Sequence, residues 1–144
     1  MATDKRDTPT TDEPTDTERL AREYAQLWNE RDYDRIPDLV SESVDVYDPI
    51  LPGREVHGRD GLEGWIRQTT TSFPEFRGTV LDLLAGEETV MGIVEYVVTE
   101  GDEAGEEISF QGMVRLRFED GQLEEHRGFY DPRKLDDQID DTEV

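Results

Sequence analysis

The spacing of apolar residues changes once along this chain, and the change divides it into two halves. In the first half they recur at helical intervals. Leu20, Tyr24, Leu27 and Trp28 fall at i, i+4, i+7 and i+8, which makes one helical face. Thr15-Asp-Thr-Glu18 precedes them with the pattern of a capping box. Asp32 and the run Ile36 to Val40 predict a second, short helix. Pro37 is tolerated near its start, where the missing N–H has no intrahelical partner anyway. Val44, Val46 and Asp48 alternate with Asp45, Tyr47 and Pro49, predicting a short strand that Pro49, Pro52 and Gly53 end in a loop. Gly58-Arg-Asp-Gly61 opens a third helix with Asp60 as N-cap and Glu63 three residues on. Leu62, Trp65, Ile66 and Phe73 form its stripe, and Pro74 stops it.

From Phe76 onward the period is two. Strands are predicted at about 77–84, 89–99, 107–118 and 122–131, broken at 85–88, 101–105 and 119–121. The last break contains Asp120-Gly121, a strong hairpin signal. Strand 89–99 is apolar on both faces, which predicts a central position. Helices first and consecutive strands afterwards make the class α+β, with the helices packed on one face of one sheet.

Composition adds the setting. The 144 residues carry 37 Asp plus Glu against 15 Lys plus Arg, a formal charge of −22, and Lys5 and Lys134 are the two lysines. Such charge repels itself at low ionic strength and is screened at molar salt, where the Debye length is about 3 Å. On an ordered domain this pattern is that of a halophile's cytoplasmic protein; the competing reading is an acidic protein with an interaction surface. No basic stripe offers a nucleic-acid surface. No stretch reaches the roughly 18 apolar residues of a membrane span, and the N-terminus has no signal-peptide core. The absence of cysteine excludes disulfides and thiolate chemistry. His57 and His126 have no metal-ligand spacing between them, so neither metal nor cofactor is expected. Residues 1–15 and 136–144 are polar or acidic tails flanking a single domain at 16–135.

Several local strings carry a family likeness: Tyr24 and Trp28-Asn29 on the first helix, Tyr47-Asp-Pro49, Gly58 before the third helix, Phe73-Pro-Glu-Phe76, the Asp120-Gly121 hairpin and the ending Phe129-Tyr-Asp131. Over about residues 17–135 the chain resembles the nuclear transport factor 2-like superfamily, and within it the SnoaL-like polyketide cyclases and ketosteroid isomerases. The resemblance implies a cone-shaped curved antiparallel β-sheet wrapped around three N-terminal helices, a cystatin-like α+β roll. It also implies a deep apolar pocket for a small apolar organic molecule and a homodimer through the outer sheet face. The fold hosts enzymes and non-catalytic binders alike.

The same resemblance nominates residues. Asp48-Pro49 matches the pair that supplies the isomerases' general base; the plain alternative is a strand-ending turn. Tyr24, five residues before Asn29, matches their oxyanion donor; the alternative is a core tyrosine. Val114 falls where the isomerases keep a protonated acid, which argues against a steroid isomerase. His126 is placed on a face with Glu124, Gly128 and Tyr130, where a cyclase could use it as base or donor. Asp131 falls where many SnoaL-like sequences carry an acid, or else ends a strand before Pro132. The Asp-Arg-Asp set of limonene epoxide hydrolase has no convincing counterpart around Arg115, Arg117 or Arg127. Trp28, Trp65, Phe73, Phe76, Val114 and Tyr130 are the expected pocket wall. Glu95 is expected to pair with Arg115 or Arg117, and His57 to lie idle in a loop.

Overall fold

The computed structural model describes residues 15–99 and 107–131. Most of both predicted tails, and the 101–105 break, lie outside them. Thr15 itself is the N-cap of α1 (Asp16–Glu30), its Oγ1 accepting from the Glu18 N–H at 3.1 Å. The face read from the sequence is the one that packs: Tyr24, Leu27 and Trp28 are buried with Ala21. Thr17 Oγ1 donates to the Gly86 carbonyl at 2.6 Å, and the Asn29 amide exchanges two hydrogen bonds with Gly78. Both ends of α1 are thereby fastened to the sheet.

Arg31 caps α1 with a left-handed backbone, φ 56°. Its guanidinium donates to the carbonyls of Trp28, Asn29 and Phe76 through Nη1 and to Pro74 through Nη2, at 2.8–3.2 Å. This one side chain joins the end of α1 to the 73–76 corner.

A 3₁₀ turn (Tyr33–Arg35) leads into α2 (Ile36–Leu39), with Pro37 in its first turn. Val40 belongs to the strand that follows, not to this helix: its φ and ψ are −117° and 132°. β1 (Val40–Tyr47) therefore starts earlier than the alternation suggested. After a turn at 48–54 comes a short strand, β2 (Glu55–His57), in what reads as loop sequence. There His57 bridges Asp45 at 2.7 Å and Glu55 at 3.2 Å, so it is not idle. α3 (Arg59–Ser72) is entered through Gly58, φ 90°, which is the N-cap instead of Asp60. Leu62 and Ile66 are completely buried beneath it.

The meander is β3 (Arg77–Ala85), β4 (Thr89–Thr99), β5 (Glu107–Glu119) and β6 (Gln122–Phe129). Asp120 and Gly121 both take positive φ, as the tight β5–β6 turn requires. The sheet order is β2-β1-β6-β5-β4-β3. All pairings are antiparallel except β1 with β6, which is parallel and corrects the all-antiparallel expectation. β5 and β6 are the middle strands, and β4 lies one in from an edge. β4 is apolar on both faces for another reason: its inner residues line a cavity, while Met91 and Ile93 stand on the outer face.

Three register shifts bend the sheet into an open, curved wall: in β1 between Val40 and Asp45, in β3 between Val80 and Asp82, and in β5 at Arg117/Phe118. The last inserts Glu124 as an extra residue on β6. Leu123 and His126 therefore both face inward, whereas Glu124 accepts a hydrogen bond from Ser43. The face assigned to Glu124 by simple alternation is corrected accordingly. Arg115 and Arg117 pair with Glu125, not with Glu95, whose register neighbours are Thr79 and Gln111. Among the described residues no helix is long and apolar enough to cross a membrane.

Candidate functional site

The curved sheet and the helices leave a cavity of about 630 Å³ between them. Trp28, Trp65, Phe73, Phe76, Val114 and Tyr130 all line it, as do Tyr24, Asp48 and His126. Asp131 does not; it is exposed beyond the end of β6. The sequence-nominated residues thus converge, apart from Asp131.

Asp48 closes β1 and is 4 % exposed. Its backbone makes the turn, with its N–H bonded to Arg54 O and its carbonyl accepting from Leu51. Its Oδ1 accepts from the Ile50 N–H at 3.1 Å and from the Tyr130 hydroxyl at 2.5 Å. Asp48 thus ends the strand in a turn and also lines the cavity. Oδ2 takes no hydrogen bond from the described residues and overlies Gly128, where a Cβ would stand 2.6 Å from it. Burial raises the Asp48 pKa, and its bonds to Tyr130 and Ile50 offset part of that rise.

Tyr24 Oη and His126 Nδ1 are 2.8 Å apart, joining α1 to β6 deep in the cavity. Burial raises the phenol pKa and lowers that of the imidazole from 6.5 to about 4, so both are neutral near pH 7. A neutral imidazole donates from one nitrogen and accepts at the other. The hydrogen bond can therefore run in either sense, and the far ring nitrogen, Nε2, lies 3.9 Å from the same point above Gly128. Trp65 packs against His126 in a T-shaped contact, ring centroids 5.6 Å apart. Tyr24 is hydrogen-bonded to His126, and which of the two donates follows the imidazole tautomer. Val114 lies opposite Gly128 and contributes only an isopropyl group.

The His126 shift has a sign in stability. Between pH 6.5 and about 4 the unfolded chain binds a proton that the folded chain refuses, so this group destabilises the fold as pH drops through that window and no further below it. Asp48, shifted upward, contributes with the opposite slope. A His126→Asn variant isolates the histidine: its stability relative to wild type should improve steadily from pH 6.5 to 4 in urea titrations. A pH-independent difference would contradict the assignment.

Sequence reasoning missed three residues of the site. Gly128 makes room for Asp48, and Phe110 and Tyr96 complete an aromatic wall with Phe76 and Tyr130, centroids 5.3–6.2 Å apart. The available signal was strand parity: Tyr96 shares its face with Val94 and Val98 on β4. Among the described residues no three His, Asp or Glu side chains are grouped to hold a metal ion.

A profile of the SnoaL-like domain matches residues 21–126. Among solved structures, a SnoaL-like polyketide cyclase from Agrobacterium tumefaciens strain C58 superposes with a TM-score of 0.71 at 16% identity, over 88% of this chain and 99% of that one. An NTF2-like protein of unknown function from Burkholderia pseudomallei K96243 gives 0.73 at 20%, over 85% and 95%. TerC, co-crystallised with polyporic acid, gives 0.75 at 14%, over 88% and 99%. Among curated proteins nothing matches the chain. With the matched profile running from within α1 to within β6, the chain belongs to the SnoaL-like domain family.

Proposed function

We propose that the cavity binds an apolar, carbonyl-containing small molecule and moves protons on it without a cofactor, in an isomerisation, cyclisation or dehydration. The observation that carries this reading is the free oxygen of Asp48: a buried carboxylate of raised pKa, aimed into an apolar cavity and fixed through its other oxygen. Asp48 Oδ2 would take a hydrogen from the carbon beside the carbonyl, leaving an enolate. That carbon, or one conjugated with it, would take the proton back, or it would attack a second carbonyl and close a ring. The neutral Tyr24–His126 pair would supply or collect the proton at the oxygen. The relatives named polyketide cyclase are compatible with such chemistry.

The test is deuterium exchange at the α-carbon of 2-indanone in D₂O, followed by NMR with excess wild-type protein. Exchange above the buffer rate is expected. If the ketone binds and exchanges no faster, the second reading stands, a non-catalytic binding or interaction module. Val114, in place of an acid, is the observation that favours it.

The wider setting belongs to the same proposal: a cytoplasmic protein of a halophile, dimeric through its outer sheet face and binding neither nucleic acid nor membrane, with residues 16–135 as the working domain. The −22 charge supports the salt reading, and unfolding free energy should rise from low to molar KCl; a flat response would remove it. The dimer is supported by an apolar outer row of Ile93, Met113 and Phe129, the last two 45 % and 48 % exposed. Light scattering in high salt should return two chains per particle.

A further inference from the structure

Gly112 lies in the interior of β5, where glycine weakens a strand and its ordinary φ gives no conformational reason for it. The reason is space. A Cβ there would stand 3.2 Å from Tyr96 Cε2 and 3.2 Å from Tyr130 Cδ1. On the other side, Gly78 of β3 faces Tyr96 directly in register. The Tyr96 ring is thus seated across the sheet between two strand glycines. Phe76 stacks on it at 6.1 Å and 25°, and Phe110 leans on it at 5.3 Å.

So fixed a ring should have a hydroxyl with a purpose inside the fold, yet among the described residues none bonds to it. The contrast is with Tyr24, Tyr33 and Tyr130, whose hydroxyls meet His126, Thr70 and Asp48. Tyr96 lines the cavity, and burial together with the Asp48 charge keeps its phenol protonated, hence a donor. Tyr96 is half-buried, and a hydroxyl held against an apolar wall without a protein partner is unfavourable unless something in the cavity satisfies it.

We propose that Tyr96 is the ligand-anchoring donor of this cavity, its O–H binding the carbonyl oxygen of a flat aromatic ketone held against Phe76 and Phe110. The anchored oxygen would determine which neighbouring carbon faces Asp48 Oδ2, so Tyr96 sets specificity and supplies an oxygen contact that Val114 does not, beside the Tyr24–His126 pair. The inference rests on the reading of the cavity as a carbonyl-ligand site.

The experiment compares two probes of one shape, 9-fluorenone and fluorene, with wild type and Tyr96→Phe, by isothermal titration in molar KCl. Fluorenone has no exchangeable α-hydrogen, so the result is independent of any proton transfer. The expected result is a fluorenone-to-fluorene affinity ratio that drops about three- to tenfold on loss of the hydroxyl, with fluorene binding retained. A ratio that Tyr96→Phe leaves unchanged overturns the role of Tyr96 while leaving the cavity reading in place. Binding of neither probe by the wild type overturns the cavity reading and this inference with it.

Discussion

Replacing Asp48 with asparagine should return 2-indanone exchange to the buffer rate, and Gly128→Ala should come within reach of the same loss without altering a polar group. Asp48→Asn would keep the contacts of the turn at 48–54 but offer no base. The added methyl at Gly128 would meet Asp48 Oδ2 at 2.6 Å, inside any real contact distance. The carboxylate cannot yield without breaking its bonds to Tyr130 and Ile50. A displacement of that order costs about 100-fold in a positioned proton transfer. Gly128 has no positive φ, so alanine is acceptable to the backbone itself. The overpacking itself should still cost about 1–3 kcal/mol of stability. Exchange rates and urea midpoints measured on the same samples separate the two effects. An active Gly128→Ala protein would mean that Asp48 is not the base.

The second large effect should come from Arg31. Removing the guanidinium by Arg31→Met takes a donor from four carbonyls at the α1 terminus and the 73–76 corner, of which Trp28 O keeps the Arg31 backbone N–H. The expected cost is about 2–3 kcal/mol in urea unfolding. Lysine should not rescue it, because one ammonium cannot span the donors of a planar fork. The partners are dipoles rather than acids, so the loss should be similar at low and molar KCl, unlike that of the exposed pairs on α1 such as Arg22–Glu18. A cost that vanishes in salt would show that Arg31 acts through the general charge balance instead.

Much of this architecture is legible along the chain because it is local. The α1 face, the β1 alternation to Asp48 and the Asp120-Gly121 turn each follow from neighbours a few residues apart. Tyr24, Asp48 and His126 are nominated by the family resemblance, and local periodicity places them on α1, at the end of β1 and on β6. The illegible parts are contacts between distant segments. The parallel pairing of β1 with β6 leaves no mark in either strand, and β2 is too short to show a period. The Glu124 bulge reverses the inside and outside of β6, so alternation from Tyr130 back to Leu123 gives the wrong face for Glu124. Tyr96 and Gly112 acquire their meaning only when β4 and β5 are aligned, since neither residue is unusual alone.

The β1–β6 pairing also has a consequence in time. Asp48 meets its hydroxyl partner 82 residues later, and Tyr24 its imidazole 102 residues later. Loops that long must close before either contact can form, which makes their formation slow relative to the β5–β6 hairpin. On a ribosome the carboxylate would be made long before Gly128 and Tyr130 emerge to seat it. Reactivity toward a ketone would therefore arise only when the last strand docks, and the order of synthesis itself would keep an incomplete chain chemically silent.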